Sequence, residues 1–172
     1  VALDEAPRQR FTAIQQRLSE LRTTFSNNLL DATDGWEKWI EDEAELAGIP
    51  DMAKQAFRQQ AQAQDKSGFR LSLQAPAYLP VMQYADNRAL RLELYEAYGT
   101  RASDQGPQAG QWDNSALMVE ILQLRQELAQ LLGFANYAEL SLEPKMAESP
   151  AHVLSFLTDL VAALRRADPD LA

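Results

Sequence analysis

A chain of 172 residues fits one domain, or one domain and part of another, and its 46% hydrophobic and 24% charged content is that of a folding globular chain rather than a disordered one. The formal net charge of −9, from 25 acidic and 16 basic residues, repels a phosphate backbone, and no basic stretch interleaved with aromatics offsets it, so nucleic acid is excluded as a partner. With no cysteine there is no disulfide, no thiolate zinc site and no cysteine nucleophile.

No apolar run approaches the roughly 18 residues of a membrane span, and Val1 to Arg10 lacks a signal-peptide pattern, so no membrane role is expected. A first residue other than Met is expected of a chain cut from something longer. In chain order, Phe11, Ile14, Leu18, Leu21, Phe25 and Leu29 recur three or four apart. They predict a long amphipathic helix that starts near Asp4 to Pro7, shows Gln15, Arg22 and Asn27 to solvent, and stops at Gly35. The stretch Phe69 to Ala75 alternates Phe69, Leu71, Leu73 and Ala75 against Arg70, Ser72 and Gln74, the period of a strand with one buried face. A lone strand leaves its edges unpaired, so the short aromatic segment from Trp36 is its predicted partner, in a hairpin of about residues 36–41 with 69–75.

Between those strands, EAELAGIPD reads as a helical turn stopped at Gly48, with Pro50 placed to begin a helix. The Ala/Gln-rich run after it predicts an exposed helix with a thin stripe of Met52, Ala56, Phe57 and Ala63. Past Pro76 comes a short turn or helix, then a helix capped at Asp86 with Leu90, Leu94 and Tyr98 on one face. Tyr78, Met82 and Tyr84 are read as core, and Arg88 and Arg91 as solvated or paired with acids. Leu117, Ile121, Leu124, Leu128 and Leu131 then mark one face of a helix over 115–132 that Gly133 stops. Asn136 caps a short helix, and Ser149 and Pro150 fit the N-cap and first turn of a last helix. Its Val153, Leu154, Phe156, Leu157, Leu160, Val161 and Leu164 form an apolar face wide enough to want partners on two sides.

Chemistry-bearing patterns are sparse. The only histidine, His152, falls in the first turn of the last helix, and one histidine without cysteine cannot build the usual zinc sites. Ser149 and Ser155 lie nearby in sequence but without a nucleophile-elbow pattern, so His152 is read as solvent-facing. Asp42, Glu43 and Glu45 read as a solvated acidic turn, with no EF-hand spacing. The long polar loop over 100–114 has Gly106 and Gly110 but no phosphate-loop pattern, and Asp104 and Asp113 oppose an anion. It is read as a peptide- or domain-contacting element carrying Arg101, Asp104 and Gln105. Arg101 either binds a carboxylate in bidentate fashion or ties the loop to the fold.

The blocks FSNNLLDAT, DEAELAGIP, YLPVMQYADNRALR, YGTRASDQGP and LRQELAQLLGFANYAELSL follow one another in order. Together they resemble the thimet-oligopeptidase, or M3, family of zinc metallopeptidases from about Arg8 to about Leu164. The resemblance implies a parent several times longer, helical and cytoplasmic, that cleaves short peptides in a deep channel. It implies a zinc ion held by an HExxH helix and a distal glutamate, with the HExxH glutamate activating water. No position here matches that motif, so no catalytic, cofactor-binding or metal residue carries over, and zinc belongs to the parent. The segment maps upstream of the catalytic helix, among helices and a hairpin of the channel wall. At its end RRADPDLA departs from the family pattern, which fits an excised fragment or a truncated relative.

The expectation is therefore a mainly α fold with one small hairpin, forming a single helical segment over 1–172 without an internal boundary. Its expected role is to shape the channel, inactive alone, with the remaining catalytic part and short peptides as partners. The alternative is a stand-alone helical module that binds a partner or self-associates through apolar faces.

Overall fold

A computed structural model describes residues 3–167; Val1 and the departure expected in residues 168–172 lie outside the described residues. The fold is mainly α, with one two-stranded antiparallel sheet. Its order is α1 (Glu5–Asp34), β1 (Glu37–Ile40), a 3-10 turn (Glu43–Leu46), α2 (Asp51–Gln62), β2 (Phe69–Ser72), α3 (Ala75–Tyr84), α4 (Arg88–Gly99), α5 (Ser115–Leu131), α6 (Tyr137–Leu142) and α7 (Pro150–Ala167). Two compact units divide it: Glu20–Met118, and the residues up to Ser19 together with those from Val119.

In the Glu20–Met118 unit the hairpin seeds the core. β1 and β2 pair in the register Glu37 opposite Ser72 through Ile40 opposite Phe69. Four residues a side make a marginal ladder by themselves, and α2 and α3 both pack against β2. Ile40, Leu46, Phe57, Leu71, Leu73, Val81 and Leu94 are buried together as a result. Predicted and observed strands differ at their ends. β2 stops at Ser72 because α3 begins at Ala75, with Pro76 in its first turn, and Ser72 is buried where strict alternation would expose it.

The buried stripe of α2 is also shifted. Ala53, Phe57 and Ala61, four apart, face inward, whereas Met52 is exposed and Ala56 and Ala63 lie on the solvated side. The helix is thus packed along one face rather than simply exposed. For α4 the cap is Asn87, not Asp86: the Asn87 carboxamide oxygen accepts from the Ala89 and Leu90 amides at 3.1 and 3.2 Å. The Asp86 amide is committed to the Ala47 carbonyl at 2.9 Å, in the turn that follows the 3-10 segment. Arg91 donates to the Ala85 and Asp86 carbonyls, closing the end of α3. Tyr78 and Met82 pack on the core, and Tyr84 is exposed.

In the other unit, Ile14 and Leu18 of α1 and Ile121, Leu128 and Ala129 of α5 are buried. Two bidentate pairs join these helices, Arg10 to Glu127 and Arg17 to Glu120, with shortest contacts of 2.6 Å in each. Gly133 stops α5, and the Asn136 oxygen caps α6 by accepting from the Glu139 amide at 3.0 Å. Ser149 caps α7 by accepting from the His152 amide at 3.1 Å. No residue of α7 is buried, and the side chains from Leu154 to Leu164 that were to form its apolar face stand open to solvent.

Candidate functional site

The loop over 100–114, within the Glu20–Met118 unit, is a closed and anchored element. Its ends meet where the Asn114 amide donates to the Ala102 carbonyl at 2.9 Å, and a second rung joins the Gly110 amide to the Ser103 carbonyl at 3.0 Å. Compact loops with adjoining ends of this kind are often functional. Ala102 and Trp112, flanking the neck, have φ of 51° and 56°, a left-handed conformation that non-glycine residues adopt at a cost.

What holds that conformation is a polar knot with α1. Asn114 is only 2% exposed; its Nδ2 donates to the Phe25 carbonyl at 3.1 Å and its Oδ1 accepts from Asn28 at 2.8 Å. A buried carboxamide needs such partners, because leaving them unmade forfeits the full cost of dehydrating the group. Beside it the Trp112 ring lies over Gly35: a Cβ at that position would sit 2.5 Å from ring carbon Cη2. The glycine that ends α1 therefore also makes room for the loop. Asp113 accepts from the Ser115 hydroxyl at 2.7 Å and the Ser115 amide at 2.8 Å, which together hold its carboxyl below the usual range.

Arg101 sits at the base of the loop. Its Nε donates to the Tyr98 carbonyl and its Nη1 to the Thr33 hydroxyl, each at 2.9 Å. The guanidinium lies 3.5 Å from the Tyr98 ring centroid, and Tyr98 stacks on Tyr78 with centroids 4.1 Å apart. Burial, then the neighbouring Tyr98 and Tyr95, push the Tyr78 hydroxyl above its usual pKa. Arg101 thus spends two donors and a ring contact on tying the loop to α1 and α4. Asp104 and Gln105 are exposed near the tip, where the Gln105 amide donates to the Ser103 hydroxyl at 3.2 Å. The structure places Arg101 at the base, half-buried, and Asp104 and Gln105 exposed. Asn114 and Trp112, which organise the element, are absent from the sequence-predicted set.

Elsewhere the titratable groups have structural work. His152 is exposed, with Nδ1 4.0 Å from Glu148, while the Ser149 hydroxyl is occupied as a cap. Asp42 caps the 3-10 turn and Glu43 pairs with Lys54 and Arg58. No group of three or more His, Cys, Asp or Glu side chains among the described residues is arranged to hold a metal ion, so these residues do not fit a zinc centre. A hollow of about 360 Å³ beside α6 and α7 is lined by Phe134, Glu139, Glu143, Lys145 and Glu148, without a convergent set of donors. No helix among the described residues is long and apolar enough to cross a membrane.

Comparison with known proteins gives a consistent result. Residues 81–168 match the sequence model of Peptidase family M3. Over 165 residues, 96% of this chain, it is 59% identical to Oligopeptidase A of Salmonella typhimurium, of which it covers 24%. It is 60% identical over 160 residues to Oligopeptidase A of Haemophilus influenzae, covering 93% of this chain and 24% of the relative. With the Probable cytosolic oligopeptidase A of Arabidopsis thaliana it shares 46% identity over 154 residues, covering 86% of this chain and 21% of the relative. The chain spans about a quarter of the length of the bacterial relatives it matches.

Proposed function

This chain belongs to peptidase family M3, and from that membership we propose that it is a non-catalytic segment of a zinc-dependent oligopeptidase, shaping the channel that admits short peptides. The observation that carries the reading is the high identity to oligopeptidases A across nearly the whole chain, combined with a sequence whose one histidine cannot supply an HExxH pair. On this reading zinc is held and water activated by residues outside the segment, in the cytoplasm, and the segment's partners are that catalytic remainder and the peptides it cleaves. The anchored 100–114 loop is its best candidate for a contact with peptide or with the remainder. Its base, built on Arg101 and Asn114, is fixed, and its tip, with Asp104 and Gln105, is free to meet another chain.

The test is turnover. The purified chain, incubated with zinc and a short internally quenched peptide, is expected to show no cleavage. Metal-dependent hydrolysis abolished by a chelator would overturn the reading.

A further inference from the structure

Asp34 is the only aspartate or asparagine in the sequence that a glycine follows. In that pairing the glycine nitrogen can reach the side-chain carbonyl of the residue before it, because no Cβ stands in the way. The Gly35 nitrogen attacks Asp34 Cγ, a C–N bond forms, and the amide proton and the carboxyl hydroxyl leave as water, giving a cyclic imide. Water then reopens the ring. Opening at the main-chain carbonyl sends the chain through Asp34 Cβ and frees the former backbone carbonyl as a carboxylate, an isomer of the starting chain made without oxidant, metal or cofactor.

In the fold both reacting groups are engaged. The Gly35 amide donates to the Asp31 carbonyl at 2.7 Å, and Asp34 Oδ1 accepts from Gln74 Nε2, just before α3. The neighbours on either side are held too: the Thr33 hydroxyl donates to the Leu29 carbonyl and accepts from Arg101, and Trp36 is buried in the hairpin core. Ring closure requires the last turn of α1 to unwind and give up the first two bonds, so its rate follows the population of that open form.

Conversion also has a structural cost. The isomer carries one more backbone bond, about 1.5 Å, between Asp34 Cα and Gly35. The seat has no slack for it, since a Cβ at Gly35 would lie 2.5 Å from Trp112 Cη2 and 2.9 Å from the Asp31 carbonyl oxygen.

We propose that Asp34–Gly35 is a site of spontaneous isoaspartate formation that the fold keeps shut, and that conversion there bars Trp112 and the 100–114 loop from reseating. All the groups involved lie within the Glu20–Met118 unit, and the chemistry is independent of whether the segment lines a peptide channel.

The full chain is aged in native buffer and in denaturing urea, and the peptide holding Asp34 is followed by mass spectrometry with electron-transfer fragmentation, which tells isoaspartate from aspartate at equal mass. Isoaspartate at position 34 should accumulate at least about 10-fold faster in urea. Asp34→Glu, whose carboxyl would have to close a larger ring, should remove the signal in urea, where folding is not in question. Gln74→Ala, at an exposed position whose side chain makes no helix cap, should raise the rate in native buffer at least about 2-fold. Converted chain, separated by reversed-phase chromatography and refolded, should unfold at a lower urea concentration than unconverted chain carried through the same steps. Equal rates in the two solvents, a native rate indifferent to Gln74→Ala, or an unchanged unfolding midpoint after conversion would each overturn the proposal.

Discussion

Asn114 and Arg101 show how differently two polar residues of one loop declare themselves. Arg101 stands out by type, as the single cation in a turn-rich stretch, and the structure spends it on the Thr33 hydroxyl and the Tyr98 carbonyl. Asn114 reads locally as one more polar residue before a helix. Its partners, Asn28 and the Phe25 carbonyl, lie 86 and 89 positions away, so no spacing pattern could reveal them. Replacing it tests which of the two kinds of residue matters to the fold. Asn114→Ala removes both hydrogen bonds from the buried Asn114 side chain to α1 and is expected to cost about 1–3 kcal/mol in urea unfolding. Asp104→Ala and Gln105→Ala, at exposed positions near the tip, should stay within about 0.5 kcal/mol. Equal losses at all three would mean that the loop is not anchored through Asn114.

At the scale of elements, the bidentate pairs between α1 and α5 make an acid-sensitive contact. The side-chain hydrogen bonds from Arg17 and Arg10 hold the Glu120 and Glu127 carboxyls below the usual glutamate value of 4.5. A carboxyl with a depressed folded-state pKa contributes stability that is fully present above its unfolded value and is lost as pH falls through the folded one. Unfolding midpoints should therefore hold steady above about pH 5 and drop as pH falls below 4.5, and Glu120→Gln with Glu127→Gln should flatten that limb. Since all four side chains are 40–50% exposed, added salt should shrink the effect. The helices themselves are legible because α1, α5 and α7 each repeat an apolar residue every three or four positions, with a stop at Gly35 and Gly133 for the first two and a start at Ser149 and Pro150 for the last. A thin stripe does not fix which residues turn inward. In α2 only Phe57 anchors the pattern, and the hairpin decides which alanines turn inward, Ala53 and Ala61 rather than Ala56 and Ala63. At α4 two adjacent residues can cap, and because the helix opens at Arg88 it is the Asn87 oxygen that reaches the free amides of Ala89 and Leu90.

Across the whole molecule, burial is uneven, and stability should follow it. Leu46, Phe57, Leu71 and Leu94 are fully enclosed around the hairpin, whereas α6 and α7 contain no buried residue. Hydrogen exchange should find the slowest amides in β1, β2 and α4 and the least protected helical ones in α6 and α7. Comparable protection in α7 and α4 would contradict this gradient. The neck of the 100–114 loop has a further consequence. The Ala102–Asn114 bond fixes the distance between the two ends of the loop, and a Cβ added to Gly110 would meet no atom within 4 Å. Extra residues spliced between Ala109 and Gly110 would then project outward, at an entropic cost that grows only slowly with their number. The fold thus holds a place where chain length can drift between relatives, or a foreign epitope can be grafted, without the hairpin core registering the change.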